Sequence, residues 1–293
     1  QAHNRGAITN CHVKNAKVVL AVEDKDNGDK AAGLVGYAVR IDVNGCSVEN
    51  AEVAAYRDVA GLLGVAHEGC VVSNNVVKDV TVTADQTVEY GEVVDSNAGE
   101  VVGRIMKDAV VENNTAENVT VIRKVDSTKE FEYALAERRN DDVIYVGKGE
   151  VVLPTSLAVS GINKLTIEGL DTAAAVQFSS VAGGGDGGLN CYADGTELIF
   201  KNIKVVSPNT GSAYTGGFGR AESVLFDNCY YEGQYRSLSY VKFNKCTIDP
   251  KTSYIYTDYS NADFVECTFN CSEGKGIQVY NDGNTTDTTI NVT

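Results

Sequence analysis

Several residue types are nearly absent from this sequence. Its 293 residues contain no tryptophan, one methionine, three prolines and three histidines. Because proline removes a backbone donor, its scarcity leaves N–H groups available for strand ladders, while 29 glycines allow frequent turns. The histidines are scattered and no Cys-x-x-Cys pair occurs. The sequence therefore predicts no metal site and no cofactor.

Positive charge is also scarce. The chain has 25 Lys and Arg against 40 Asp and Glu, a formal net charge of −15 at pH 7. Nucleic acid is not expected as a partner, because phosphate binding needs clustered basic side chains. No apolar stretch reaches the roughly 18 residues of a membrane-spanning helix, so we also expect no membrane span.

The ends of the chain suggest that it is a piece of a longer protein. It begins at Gln1 without an initiator methionine or a signal peptide, and it stops at Thr293 inside an alternating apolar run. We expect that an export signal or anchor has been removed and that the natural chain continues beyond Thr293.

A short phrase recurs along the chain and predicts a repeat architecture. Its apolar residues alternate, which is the periodicity of strands. Units that return about 17 to 39 residues apart and bury their apolar faces against each other form solenoids. The copies are Asn10-Cys11-x-Val13, Gly45-Cys46-x-Val48, Gly69-Cys70-x-Val72, Phe226-Asp227-Asn228-Cys229, Phe243-Asn244-Lys245-Cys246 and Phe264-Val265-Glu266-Cys267. We therefore expect an all-β parallel solenoid.

The phrases also predict the core. The six repeated cysteines should stack as a ladder of buried free thiols, because they hold the same place in each copy. Cys191 and Cys271 lie outside the ladder and are the candidates for a disulfide. The other expected core residues are Val13, Val48, Phe200, Phe226, Phe243 and Phe264.

One segment breaks the strand pattern. Ser127-Thr128-Lys129-Glu130 is a capping box, and apolar residues follow it at helical spacing. We predict one short helix near 127–139 that covers the apolar end of a new strand stack. The chain then divides into a first part, 1–124, and a second part, 125–293.

The second part resembles the pectin-lyase-like right-handed parallel β-helix superfamily. The resemblance rests on the helix, on Asp142-x-Ile144-Tyr145-Val146, on Leu165-Thr166-Ile167-Glu168-Gly169 and on the later Phe-x-Asn-Cys coils. The phrases Gly33-Leu34-Val35-Gly36 and Gly61-Leu62-Leu63-Gly64, with a degraded copy at Gly99–Gly103, resemble the GLUG repeats of bacterial surface proteins. Together these resemblances imply a right-handed β-helix in a secreted or cell-surface bacterial protein. They say little about activity, because such scaffolds carry several functions.

The resemblance also implies where an enzyme would show itself. Hydrolases of the superfamily carry Gly-His-Gly and Arg-Ile-Lys phrases, and neither occurs. Asp227, Asp249, Asp258 and Asp263 are available acids that different strands could bring together, but outward polar positions or turns are the simpler prediction for them. We expect a non-catalytic adhesion or carbohydrate-binding module with no catalytic residue. The alternative is a polysaccharide lyase or glycoside hydrolase that acts on an acidic polysaccharide.

Tyrosines are concentrated in the last 80 or so residues and predict a ligand site. Exposed rings beside an arginine form a surface on which sugars stack, although an ordinary β-rich surface also tolerates tyrosine. The partner would be a polysaccharide or a host or cell-surface glycan. The predicted ligand-binding residues are Tyr214, Tyr230, Tyr235, Arg236, Tyr254, Tyr256 and Tyr259.

Two loops allow further readings. The acidic run 23–30 has carboxylates near a glycine, but it lacks the spacing of a calcium loop, so a solvated loop is the simpler prediction. The glycine-rich run 183–188 is not followed by a phosphate-loop lysine, and it is predicted to be an excursion from one coil.

Overall fold

The chain folds into parallel sheets built from many short strands. The computed structural model describes residues 5–20, 30–85, 89–90, 93–94, 98–137, 142–157, 161–179, 191–207, 216–236, 239–251, 254–258, 261–271, 276–280 and 289–293. Within these ranges the regular structure consists of strands and a single helix. The all-β prediction is therefore confirmed. By its contacts the chain divides into two compact units, Gln1–Val125 and Asp126–Thr293.

Unit 1 contains seventeen of the described strands. They are β1 (Gly6–Thr9), β2 (His12–Lys14), β3 (Lys17–Val19), β4 (Ala31–Ala32), β5 (Val35–Ala38), β6 (Ile41–Asn44), β7 (Ser47–Ala55), β8 (Val59–Ala60), β9 (Leu63–Ala66), β10 (Val71–Ser73), β11 (Val76–Asp85), β12 (Glu89–Tyr90), β13 (Val93–Val94), β14 (Ala98–Gly99), β15 (Val102–Ile105), β16 (Val110–Glu112) and β17 (Thr115–Val125).

The chain of unit 1 passes through several parallel sheets in turn and returns to them, so that each sheet contains strands from different parts of the unit. The strand orders are β1-β6-β10-β16, β2-β7-β11-β17 with β3 beside β7, β4-β8-β14 and β5-β9-β15. The short pair β12-β13 is antiparallel. The segment Val111–Val121 repeats the sequence pattern of Val72–Val82, and the two segments pair in register, Val72 with Val111 and Val82 with Val121.

Unit 2 repeats this plan after the helix. Its elements are α1 (Thr128–Glu137), β18 (Val143–Val146), β19 (Glu150–Leu153), β20 (Lys164–Gly169), β21 (Ala175–Phe178), β22 (Cys191–Tyr192), β23 (Glu197–Lys201), β24 (Lys204–Val206), β25 (Phe218–Gly219), β26 (Ser223–Asp227), β27 (Tyr230–Glu232), β28 (Tyr235–Arg236), β29 (Tyr240–Asn244), β30 (Thr247–Asp249), β31 (Ile255–Asp258), β32 (Ala262–Val265), β33 (Thr268–Phe269), β34 (Ile277–Tyr280) and β35 (Ile290–Val292).

The described strands of unit 2 form four parallel sheets. The largest follows the order β18-β20-β23-β26-β29-β32-β35 and the second β19-β21-β24-β27-β30-β33. The other two are β22-β25 and β28-β31-β34. Sequential strands therefore lie in different sheets, and each sheet is built from strands that successive returns of the chain contribute.

Strand alternation places one apolar row in the centre of each unit. In unit 2 the rings of Phe200, Phe226, Phe243 and Phe264 stack in consecutive pairs, with centroids 4.7–5.2 Å apart. All four are fully buried, as is Val48 in unit 1. These core predictions are confirmed. Val13 packs against the core that contains Val48, but it is only half-buried because its strand β2 has a described neighbour on one side alone.

Left-handed corner residues separate the strands. Asn10, Asn74 and Asn113 have φ between 53° and 56°, and Gly45 in the same row has φ 66°. Asparagine tolerates this conformation better than most residues with a side chain, and glycine tolerates it best. The Asn or Gly at each of these four positions is therefore a bend between two sheets.

The cysteine ladder is confirmed in unit 2 and wrong for one member in unit 1. Cys229 and Cys246 are neighbours, with the N–H of Cys229 3.5 Å from the Sγ of Cys246, and Cys267 follows in register. In unit 1, however, Ser47 pairs with Val76, so Asn75 lies beside Cys46. Cys70 follows a different corner and its thiol donates to the carbonyl of Ala38 at 3.2 Å. All eight cysteines are free, including Cys191 and Cys271.

The predicted helix is present as α1. The N–H of Glu130 donates to the hydroxyl of Ser127 at 3.3 Å, and the Glu130 carboxylate accepts from the N–H of Asp126 at 2.6 Å. This reciprocal capping begins the helix at the predicted place. Phe131, Ala134 and Leu135 are buried on the face that packs against β18 and β19. The predicted end near 139 and the acidic loop from 23 to 29 lie outside the described residues, as does the run 183–188.

Candidate functional site

Two of the predicted ligand residues, Arg236 and Tyr256, are neighbours on one sheet, and a third, Tyr254, directly precedes one of its strands. Arg236 of β28 pairs in register with Tyr256 of β31, and Tyr256 pairs with Gln278 of β34. The side chains of Arg236, Tyr256 and Gln278 are half-buried on the outer side of this sheet. The ring of Tyr254 lies 5.5 Å from the ring of Tyr256 in an edge-on arrangement. We call Arg236, Tyr256 and Gln278 the Arg236 row.

A glycine pair holds the backbone of this row in place. The N–H of Arg236 donates to the carbonyl of Gly216 at 2.9 Å. A Cβ added to Gly217 would lie 1.5 Å from the carbonyl oxygen of Arg236, and Gly217 has φ +130°. Only glycine fits there. Gly216 and Gly217 therefore lie tightly beside β28.

Tyr235 was expected to be exposed, and that prediction is wrong. Tyr235 is fully buried, and its ring meets those of Tyr231, Phe226 and Phe243 edge-on at 5.5–5.7 Å. Because neighbouring residues of a strand point to opposite sides, an outward Arg236 requires an inward Tyr235. Tyr235 is a core residue and does not line a surface. Tyr214 and Tyr259 lie outside the described residues.

Tyr230 belongs to a different sheet and a different set of contacts. It lies on β27, where its hydroxyl donates to a carboxylate oxygen of Asp249 at 3.2 Å. The Lys251 ammonium lies 2.7 Å from the same carboxylate, and the N–H of Lys251 donates to its other oxygen at 3.1 Å. Lys204 pairs with Glu232 at 3.0 Å and lies 5.7 Å from the centre of the Tyr230 ring. We call these five residues the Asp249 cluster.

The electrostatics of the Asp249 cluster favour a fixed ion pair. Burial disfavours the charge on Asp249, but hydrogen bonds from Lys251 and Tyr230 outweigh it, so the pKa of Asp249 is below its ordinary value. Burial and the bond to Asp249 raise the pKa of Tyr230. The Asp249 carboxylate thus stays ionised with both oxygens engaged, and Tyr230 keeps its proton.

The other candidate acids are also engaged where they are described. Asp227 accepts from the amide of Asn244 at 2.6 Å. Asp263 accepts from the Tyr240 hydroxyl at 2.6 Å and from the Asn291 amide at 2.7 Å. These bonds, first that of Tyr240, lower the pKa of Asp263. The side chain of Asp258 lies outside the described residues.

Sequence reasoning missed Lys204, Glu232 and Lys251. A signal for part of the cluster was present in the repeats, because Glu232 and Asp249 both stand three residues after the corner cysteine, Cys229 or Cys246. That equal spacing places them in register on β27 and β30. Lys251 lies in the turn beyond β30, where no repeat predicts its direction.

The chain resembles no known protein closely enough to identify its family. No protein-family model, no curated protein and no solved structure matches the chain. Among the described residues, no three His, Cys, Asp or Glu side chains gather in a way that would hold a metal ion. In that same part of the chain no helix has the length and apolar character to cross a membrane.

Proposed function

We propose that this protein is a non-catalytic carbohydrate-binding or adhesion module of a secreted or cell-surface bacterial protein. On this proposal the parallel sheets of each unit wind as a right-handed β-helix, GLUG-like in unit 1 and pectin-lyase-like in unit 2. The parallel order of the sheets and the left-handed corners support the winding. The module presents its ligand surface on the outer side of β28, β31 and β34.

The observation that carries the proposal is the Arg236 row. A guanidinium group pairs with a carboxylate through two parallel hydrogen bonds, and a tyrosine ring offers a flat apolar face with a hydroxyl at its edge. Arg236 and Tyr256 are in-register neighbours, so they stand about 4.8 Å apart along the strand-pairing direction. This spacing lets one sugar ring stack while its carboxylate meets the arginine. The ligand is therefore an acidic glycan.

The experiment is a glycan array with the intact chain and two variants. Arg236→Ala and Tyr256→Ala should each weaken binding to acidic glycans about tenfold, since a charge-assisted hydrogen bond is worth roughly 1.5–3 kcal/mol. Arg5→Ala and Tyr37→Ala remove exposed side chains of the same types from unit 1 and should have no effect. Unchanged binding in both unit 2 variants would place the site elsewhere.

An enzyme is the second candidate, and one observation favours it. Glu232 and Asp249 are carboxylates in register on adjacent strands, the kind of pair that glycosidases use. Their lysine partners argue for a structural role. A panel of acidic and neutral polysaccharides, assayed for unsaturated products and reducing ends, separates the two candidates. Turnover that disappears in Asp249→Asn, with the fold intact by circular dichroism, would establish the enzyme.

A further inference from the structure

A second surface lies on the largest sheet of unit 2. It begins at an open cavity of about 520 Å³ lined by Asn163, Lys164, Gly195, Glu197 and Glu222. These residues lie where the chain enters β20, β23 and β26. The lining combines two carboxylates, an ammonium group and an amide, so it offers hydrogen-bond donors and acceptors side by side.

Two of the lining residues, Lys164 and Glu197, begin a row of side chains that are paired in register across neighbouring strands. Lys164 pairs with Glu197, Glu197 with Ser223, and Ser223 with Tyr240. The residues that follow them, Leu165, Leu198, Val224 and Val241, are buried. Because successive side chains of a strand point to opposite faces, the row itself points outward. Three strand spacings give the row a length of about 14 Å.

The row ends at an exposed aromatic ring. Tyr240 is 40% exposed, and its hydroxyl donates to Asp263 at 2.6 Å. That bond is also the first cause that raises the pKa of Tyr240 to about 12. Asn291 holds Asp263 from the other side at 2.7 Å. The ring is thus fixed at its edge while its face stays accessible, which reduces the entropy lost when a ligand stacks on it.

We propose that the row from the cavity to Tyr240 binds an uncharged oligosaccharide laid across the strands. The carboxylates of Glu197 and Glu222 accept hydrogen bonds from sugar hydroxyls, and Asn163 and Lys164 donate to ring and hydroxyl oxygens. Ser223 contacts the middle of the ligand, and Tyr240 stacks against the last ring. Glu197, Glu222 and Asp263 repel acidic sugars. This surface lies on a different sheet from the Arg236 row and has the opposite charge preference, so it does not depend on that proposal.

Gly195 provides a way to block the cavity without touching its polar groups. It has φ +64°, and a Cβ added there would meet no atom within 4 Å. Asparagine tolerates a positive φ, so Gly195→Asn should fold and fill part of the cavity. Gly161 has φ +78° and the same open surroundings but does not line the cavity. Gly161→Asn is therefore the matched control.

The experiment is calorimetric titration of the intact chain with short linear oligosaccharides of glucose, xylose and mannose, and with an acidic oligosaccharide of uronic acid. At least one neutral oligosaccharide should bind. Tyr240→Ala and Gly195→Asn should weaken that binding about tenfold, which is the scale of a lost aromatic contact with its buried area. Tyr240→Phe keeps the ring and should retain most of the affinity. Tyr37→Ala, which removes a ring that is 47% exposed in unit 1, should have no effect.

The outcomes separate this proposal from the preceding one. Arg236→Ala should leave neutral binding unchanged and weaken only acidic binding. The proposal is overturned if no neutral oligosaccharide binds, or if neutral binding survives both Tyr240→Ala and Gly195→Asn. Acidic binding that is lost in Arg236→Ala without any neutral binding would support the Arg236 row alone and reject this second site.

Discussion

At the scale of single residues, Asp249 illustrates how a nearly buried carboxylate is kept charged on the outer side of a sheet. Only 2% of the residue is exposed. An ammonium group, a backbone N–H and a phenol donate to its two oxygens. Those donors stabilise the folded state only while the carboxylate is ionised.

The stability of unit 2 should therefore depend on pH through Asp249. Its folded pKa is lowered, so its contribution is present above the unfolded value of about 3.9 and is lost as the pH falls through the folded value. Asp249→Asn should lower the thermal midpoint at neutral pH and flatten its decline in acid. The measurement is the thermal midpoint of both proteins from about pH 7 down to about pH 3.

A carboxylate on the exposed surface supplies the control. Asp79 stands in a left-handed corner row whose neighbours Asn50 and Asn118 are already asparagine, and its carboxylate accepts from Asn118 at 2.9 Å. Asp79→Asn should keep the acid decline of the parent chain. An equal flattening in both variants would show that Asp249 has no special role.

At the scale of elements, one row of equivalent positions in unit 1 is filled by two kinds of residue. This row directly follows the left-handed corner residues described above. Cys11, Cys46, Asn75 and Asn114 succeed one another in this row. The Sγ of Cys46 lies 3.5 Å from the N–H of Cys11 and from the carbonyl of Ile8. Asn75, next in the row, makes the two equivalent contacts. Its carbonyl oxygen accepts from the N–H of Cys46 at 2.8 Å, and its amide donates to the carbonyl of Val43 at 3.0 Å.

Removing the amide of Asn75 should be costly, because the residue is fully buried. Asn75→Ala leaves two backbone groups without their partner and should lower the free energy of unfolding by roughly 1–3 kcal/mol. Asn75→Cys should lose less, since a thiol serves this position at Cys46. Urea denaturation of the three proteins measures the difference.

Asn270→Ala, at an exposed position of unit 2, is the control and should change stability very little. If Asn75→Cys were as unstable as Asn75→Ala, the equivalence of thiol and amide in this row would be rejected.

At the scale of the whole molecule, the sequence predicted a ladder of free thiols and named Cys191 and Cys271 as candidates for a disulfide. The structure has free thiols at all these positions. Cys46, Cys70, Cys191, Cys229 and Cys246 are buried, and the remaining three are half-buried. Burial raises the pKa of the Cys191 thiol, and only the thiolate reacts rapidly. The native chain should therefore present few reactive thiols.

A titration with an aromatic disulfide reagent tests this directly. All eight cysteines should react in denaturant without reductant, whereas in the folded chain fast reaction should be confined to the three half-buried thiols, Cys11, Cys267 and Cys271, and should be slowed at Cys267, whose pKa is raised by burial. A count below eight in denaturant would demonstrate a disulfide. A full count of fast thiols in the folded chain would contradict the buried ladder.

Local sequence patterns predicted the parts of the fold that depend on neighbours along the chain. Alternation identified Val48 and the row of phenylalanines as inward, because a strand has a side-chain period of two. Ser127 and Glu130 marked the start of the helix, because capping bonds join residues only three or four positions apart. The likeness of Val111–Val121 to Val72–Val82 is also visible in the sequence, and the structure pairs the two segments in register.

The tertiary structure alone decided which copies of the phrase are neighbours. Gly69-Cys70-x-Val72 matches the phrase at Cys46 in sequence, yet the chain uses it at another corner, five residues before Asn75. The tertiary structure likewise decides that the Tyr235 side chain points inward and that Lys251 approaches Asp249. Phase within a strand is local, so for the strands that carry the repeated phrases the sequence was sufficient to tell inward from outward side chains. Register between strands depends on the length of the intervening loops and on packing against distant coils, so only the folded chain brought these side chains together.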